Sequence, residues 1–155
     1  NFDFAFTSGL MGALEEMYGV RGGRVFALRA GKATFEDLLN NYGAMAGVTD
    51  LAFRILPLQL KVKIGLTAMA RVFSHTSDQI SRLEDHHDHF LYIIDRCPAC
   101  WGRQSENPSC FLMAGIITAG LKWVSSGRDF RVVEQTCIGM GDSACQFIIP
   151  KEPVN

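Results

Sequence analysis

The sequence predicts an α+β fold in which helices pack on one face of a twisted antiparallel sheet. Two patterns lead there. Up to about residue 75, apolar side chains recur at helical spacing; from about 76 to 150, short apolar runs alternate with turn residues. The 155 residues match the length of one domain, numbered 1–155, and can bury a core without disulfide staples. A composition of 48% apolar and 20% charged residues excludes a disordered or fibrous chain.

In the helical half, Leu10, Ala13, Leu14 and Met17 form the first stripe, with Thr7 or Ser8 as cap and Gly19 as stop. Val25 to Leu28, set between glycines, reads as a short strand. Thr34 opens a second helix in a variant capping box with Asp37; Leu38, Leu39, Tyr42 and Met45 form its stripe, and Gly47 ends it. Asp50 to Leu56 reads as a short helix broken at Pro57. Leu58, Val62, Leu66, Met69 and Phe73 then form a long stripe that suits a core, the wall of an apolar ligand pocket, or a dimer face.

In the strand-rich half, Gln79–Glu84 and Phe90–Ile94 read as paired strands around a turn at Asp85 to Asp88. Asn107 and Pro108 form a cap and first position for a buried helix from Ser109 to about Ser125, stopped by Gly127. Phe130–Thr136 and Cys145–Ile149 make a hairpin across Gly139 to Asp142.

Several function classes drop out. Fifteen basic and 16 acidic residues argue against non-specific nucleic-acid binding. The longest apolar run, Phe111 to Leu121, is too short to cross a membrane. Asn1 to Tyr18 lacks the basic start of a secretory signal, and the chain, starting at Asn1, reads as a trimmed piece of a cytoplasmic protein. Nucleotide, nucleophile-elbow and zincin motifs are absent from the sequence.

The chemistry concentrates in the second half, which holds all five cysteines. Cys137 and Cys145 oppose each other if the hairpin centres on Gly141, close enough to share a metal. Glu134 joins them only if a bulge, or a strand that already curls at Thr136, corrects its odd separation from Cys137. Cys110, near a helix N-terminus, is suited to the thiolate form. Three thiolates and a carboxylate suit tetrahedral zinc, and buried free thiols are the alternative. Cys97 and Cys100 form a CxxC that reads as a second metal or redox pair, or as an ordinary loop. His86, His87 and His89 read as a solvated turn, a metal or haem site, or a ligand hydrogen bond, and His75 as surface.

These motifs resemble a known family. Asp95-Arg96-Cys97-Pro98-Ala99-Cys100, Pro108-Ser109-Cys110, Glu134-Gln135-Thr136-Cys137 and Gly141-Asp142-Ser143-Ala144-Cys145-Gln146-Phe147 resemble the 4-vinyl reductase domain. The resemblance implies a fold like the TRAPP vesicle-tethering subunits. It also implies kinship with the sensor domains of aromatic-responsive activators, where zinc lies beside a buried apolar pocket. By motif, the zinc ligands fall on Cys110, Glu134, Cys137 and Cys145. His89, Trp101 and Trp123, with Leu66 and Met69 of the stripe, are the candidate ligand-binding residues. Another branch of the family is assigned to bacteriochlorophyll biosynthesis, as tetrapyrrole vinyl reductases.

Three readings follow. The first is a zinc-containing sensor or carrier domain for a small hydrophobic or aromatic molecule. The second is a tetrapyrrole protein, a carrier rather than a catalyst because the sequence shows no motif for a hydride or electron source. The third is an interaction subunit, dimerising through the stripe from Leu58 to Phe73.

Overall fold

The computed structural model describes residues 3–45, 47, 48 and 50–154; Asn1, Phe2, Ala46, Thr49 and Asn155 lie outside the described residues. Helix α1 runs from Phe4 to Tyr42, α2 from Leu51 to Arg54 and α3 from Leu58 to Thr76. Strands β1 (Ile80–Asp85) and β2 (His89–Arg96) follow, then α4 (Phe111–Val124), β3 (Val133–Thr136) and β4 (Cys145–Pro150). The α+β expectation holds.

The first helix corrects the sequence reading. No strand forms at Val25 to Leu28 and no new helix starts at Thr34; both lie inside α1. Gly19 does stop the first helical stretch, as expected: at φ 70° and ψ 169° it is non-helical, and α1 is two helices joined across it, with Gly23 folded back against Glu15. Asp3 is the cap, accepting from the amides of Ala5 and Phe6, while Thr7 and Ser8 bond back to backbone carbonyls. The Thr34 hydroxyl likewise bonds to the Ala30 carbonyl inside the helix. The helix ends at Tyr42 instead of Gly47. The glycines that suggested turns serve close packing instead. A Cβ on Gly31 would strike the Leu112 carbonyl of α4, and one on Gly115 would strike the Leu28 carbonyl of α1. The two helices therefore cross in backbone contact, which only glycine permits.

The sheet is antiparallel in the order β1-β2-β4-β3. Leu83, Tyr92 and Phe147 align across β1, β2 and β4, and Ile94 pairs with Cys145. Phe90, Tyr92, Ile94, Phe147 and Ile149 are fully buried on one face and share a core with Met113, Ile116, Ile117 and Leu121 of α4. Each such aliphatic or aromatic side chain contributes roughly 1.5–3 kcal/mol by burial. The opposite face carries Arg82, Glu84 and Asp95, joined by ion pairs at 2.6 and 3.3 Å. Val62, Leu66, Met69 and Phe73 of α3 are buried in the core, so the long stripe is not a free dimer face.

Helix α4 begins at Phe111 with Cys110 as its N-cap residue, so Pro108 precedes the helix instead of opening it. Among the described residues, no helix is long and apolar enough to cross a membrane.

The α1–α4 crossing makes a direct prediction. Alanine in an open helix position stabilises by up to ~1 kcal/mol relative to glycine. Gly115→Ala will instead destabilise by about 1–3 kcal/mol, because the added methyl forces the helix backbones apart. Gly9, in α1 with nothing within 4 Å of its built Cβ, is the control. Thermal melts should show Gly9→Ala neutral or stabilised and Gly115→Ala lowered.

Candidate metal centre and apolar pocket

Three segments meet at one end of the sheet. The connection from β2 to α4 carries Cys97, Cys100 and Cys110; β3 carries Glu134, with Cys137 just after it; β4 starts at Cys145. All five thiols are buried, at most 1% exposed. The β3–β4 register shifts between Glu134, opposite Phe147, and Thr136, opposite Gln146. Gln135 is the extra residue of this bulge, and it brings Glu134 and Cys137 to the same face. The bulge anticipated by the sequence reading is present.

Local hydrogen bonds hold the donors in place. The Asp142 carboxylate accepts from the Cys137 amide at 2.8 Å, and the Ile138 amide donates to the Cys145 sulfur at 3.3 Å. The Ser105 amide donates to the Gly139 carbonyl at 2.8 Å, tying the long connection to the hairpin turn. Arg103 of that connection pairs with Glu15 of α1 at 2.7 Å. The Cys110 amide donates to Glu134 Oε2 at 3.0 Å. The other oxygen, Glu134 Oε1, is buried with no hydrogen-bond partner.

The donor atoms form two groups, each with all members within 4.8 Å of one another. Cys97, Cys100, Cys110 and Cys145 make one; Cys100, Glu134, Cys137 and Cys145 make the other. The four ligands read from the sequence are therefore divided, with Cys110 in the first group, Glu134 and Cys137 in the second, and Cys145 in both. Cys100, read only as half of a CxxC, also belongs to both. Cys97 and Cys100 lie in the first group, their sulfurs within 4.8 Å of each other. Cys97 Sγ lies 3.2 Å from Cys110 Sγ, and Cys100 Sγ lies 3.6 Å from Cys137 Sγ and 3.7 Å from Cys145 Sγ. The cysteines are all free thiols. The one signal for Cys100 in the sequence was the CxxC spacing itself, a common source of two metal donors from one loop.

The electrostatics of the metal-free cluster follow from burial and contact. Hydrogen bonds from the Cys110, Cys137, Cys145 and Cys97 thiols favour a thiolate at Cys100. That charge pushes Cys137 up to about 11 and Cys145 higher still, while burial raises Cys110. Burial likewise raises the Glu134 carboxyl to about 7. Such a set, with an orphaned carboxylate oxygen buried among inward-facing sulfurs, can hold a metal ion.

A second feature lies at the far end of α4. Phe35, Leu38, Leu39 and Tyr42 of α1, Leu66, Met69 and Val72 of α3, and Leu121, Trp123 and Val124 line a small pocket of about 60 Å³ that opens to solvent. Of the ligand candidates, Leu66, Met69 and Trp123 lie in this pocket. His89 and Trp101 lie elsewhere: His89 bonds Asp88 at 2.7 Å and stacks on His86, and Trp101 packs edge-on against Phe4. His75 is exposed in the last turn of α3. The α1 wall was unread because those positions pass for ordinary core on a helical stripe.

With the hairpin and its cysteines in place, the comparison with known families is direct. Residues 91–151 match the 4-vinyl reductase domain family. The matched segment spans β2 to the end of β4 and contains every cysteine and Glu134, in line with the resemblance drawn from the motifs. Two solved structures share the fold. One is the phenol-responsive sensory domain of the transcription activator PoxR with phenol, at TM-score 0.69 and 14% identity, covering 97% of this chain and 74% of that one. The other is a trafficking protein particle complex subunit 3 from Naegleria fowleri covalently bound to palmitic acid, at TM-score 0.70 and 14% identity, covering 98% and 95%. No curated protein matches the sequence.

The buried carboxyl of this segment makes a pH prediction. In the metal-free protein Glu134 titrates at about 7, above its ordinary 4.5. A carboxyl raised by folding adds stability below its unfolded value and loses it as pH rises through its folded value. In chelator, the melting temperature of the native protein relative to that of Glu134→Gln will fall between about pH 5 and about pH 8. With metal bound the slope reverses, because protons compete for the donors.

Proposed function

We propose that this chain is a small-molecule-binding domain, a sensor or carrier, that holds a compact hydrophobic or aromatic ligand between α1, α3 and α4. The observation that carries the reading is the pocket itself, whose named wall is almost wholly hydrocarbon and aromatic. A phenol-bound sensory domain and a palmitic-acid-bound subunit of the same fold support an apolar occupant. Arg71 and His75 line a neighbouring depression that shares Tyr42, Ala68 and Val72 with the pocket. They would receive a polar or anionic end of the ligand at the mouth.

Zinc is the structural partner in this reading. Glu134, Cys137 and Cys145 supply three donors, and Cys100 supplies the fourth, a thiolate grouped with them. The thiolate-rich set favours zinc over harder cations. Bound there, zinc would fix the hairpin to the N-terminus of α4, about 20 Å along the helix from the pocket. Its role is to hold the frame, since none of the five cysteines lines the pocket.

Ala68 lines the pocket from α3 and is half-buried. Ala68→Phe should fill the pocket and weaken binding of phenol, 1-naphthol or a fluorescent fatty acid at least tenfold, with metal content unchanged. Equal binding by both proteins in a fluorescence or calorimetric titration would reject the pocket.

A specific observation also favours a homodimer, on a different surface from the stripe of α3. Phe6, Met17, Val20 and Val25 of α1 are 53–72% exposed. Met17 and Val20 flank the bend at Gly19, and an exposed apolar tip of this kind suits a second copy. Light scattering should give a dimer for the native chain and a monomer for the double variant Met17→Glu, Val20→Glu.

A further inference from the structure

The two donor groups overlap in a way that a single ion does not use. Cys100 and Cys145 belong to both; Cys97 and Cys110 belong only to the first, Glu134 and Cys137 only to the second. We propose that the site is binuclear: two divalent d10 cations of the zinc type, each held by two terminal donors and by Cys100 and Cys145 as bridging thiolates. One ion takes Cys97 and Cys110 as its terminal donors, and the other takes Glu134 and Cys137. This rests on the metal-binding reading above and extends it.

Three observations support the second ion. The first is spacing. A tetrahedral zinc with bonds of about 2.3 Å sets its sulfurs about 3.8 Å apart. The bridging pair, Cys100 and Cys145, lies at 3.7 Å, and Cys100 to the terminal Cys137 is 3.6 Å. The second is the donor count. A mononuclear centre takes four donors and leaves two of the six buried beside it, yet no pair of thiols here is joined as a disulfide. The third is charge: six ionised donors with two divalent ions carry a net −2, the same as four ionised donors with one ion, so the second ion adds no uncompensated charge. The Ile138 amide on Cys145 and the Cys110 amide on Glu134 offset part of that net charge.

To seat the first ion, the Cys97 and Cys110 sulfurs part from 3.2 Å to about 3.8 Å. At 3.2 Å the two sulfurs sit closer than the other pairs, outside disulfide bonding distance, and belong to one donor group with Cys100 and Cys145. A metal in that first group would hold both ends of the long connection between β2 and α4. The Arg103 to Glu15 pair then fixes its middle.

The test is metal stoichiometry on the whole chain, by native mass spectrometry and elemental analysis, with zinc and with cadmium. The expected result is two ions per chain. Cadmium NMR should show two resonances, the four-thiolate ion further downfield than the carboxylate-bound one, coupled to each other through the shared sulfurs. Cys97→Ser should fall from two ions to one, keeping the carboxylate-bound resonance. One ion per chain in the native protein, unchanged in Cys97→Ser, would overturn the binuclear site and leave the mononuclear reading standing. One ion with a Cys97–Cys110 disulfide in protein purified under reductant would overturn it as well. No metal at all would overturn both readings. Should Cys97→Ser fail to fold, the native stoichiometry and the cadmium coupling decide alone.

Discussion

Five buried thiols and a half-buried carboxylate gathered at one point form the constraint on which the strand-rich half depends. A thiol or carboxyl placed away from water resists ionisation unless a cation or donors meet it. Here the donors come from separate stretches of chain: the β2–α4 connection, the N-cap of α4, the β3 bulge and the start of β4. Their convergence ties one end of the sheet to one end of α4. The local backbone serves that convergence. The Asp142 carboxylate holds the Cys137 amide, the hairpin turn presents the Ile138 amide to Cys145, and the bulge at Gln135 turns Glu134 inward.

Helix α4 carries this order into the helical half. Its N-terminus sits among the sulfurs, its middle crosses α1 in backbone contact at Gly31 and Gly115, and its C-terminal turn forms a wall of the apolar pocket. Such a helix is buried on most sides, which suits the nearly continuous apolar run from Phe111 to Leu121. Metal site and pocket are thus separate in space and joined by one rigid element.

Much of the site was legible because its signals are local. A hairpin with glycines at its tip places Cys137 against Cys145, and an odd separation demands a bulge or a curl before Glu134 can join them. Both inferences follow from strand geometry within one hairpin. The place of Cys100 was not legible. Its role depends on how the long loop between β2 and α4 folds back on a hairpin much later in the chain, and no periodic pattern encodes that. His89 and Trp101 drew attention as residue types, yet the ring contacts they make are with His86 and Phe4, away from the pocket.

The sequence by itself determined the class of fold, the order of the strands along the chain, the buried helix and the cysteine-rich chemistry, because each rests on a pattern of period two or 3.6 or on a short motif. Only the tertiary structure decided that the chain after the stop at Gly19 continues as helix to Tyr42, with no strand at Val25 to Leu28. Glycine has one local signature for two uses, a turn or a close approach of helices, and Gly31 is the second because the α4 backbone lies against it. The same holds for the stripe on α3. Its apolar spacing is compatible with a core, a pocket or a partner, and packing against α1 and α4 assigned Leu66 and Met69 to a pocket wall. Hydrophobic burial is non-directional, so a sequence shows which face will be covered and the fold decides by what.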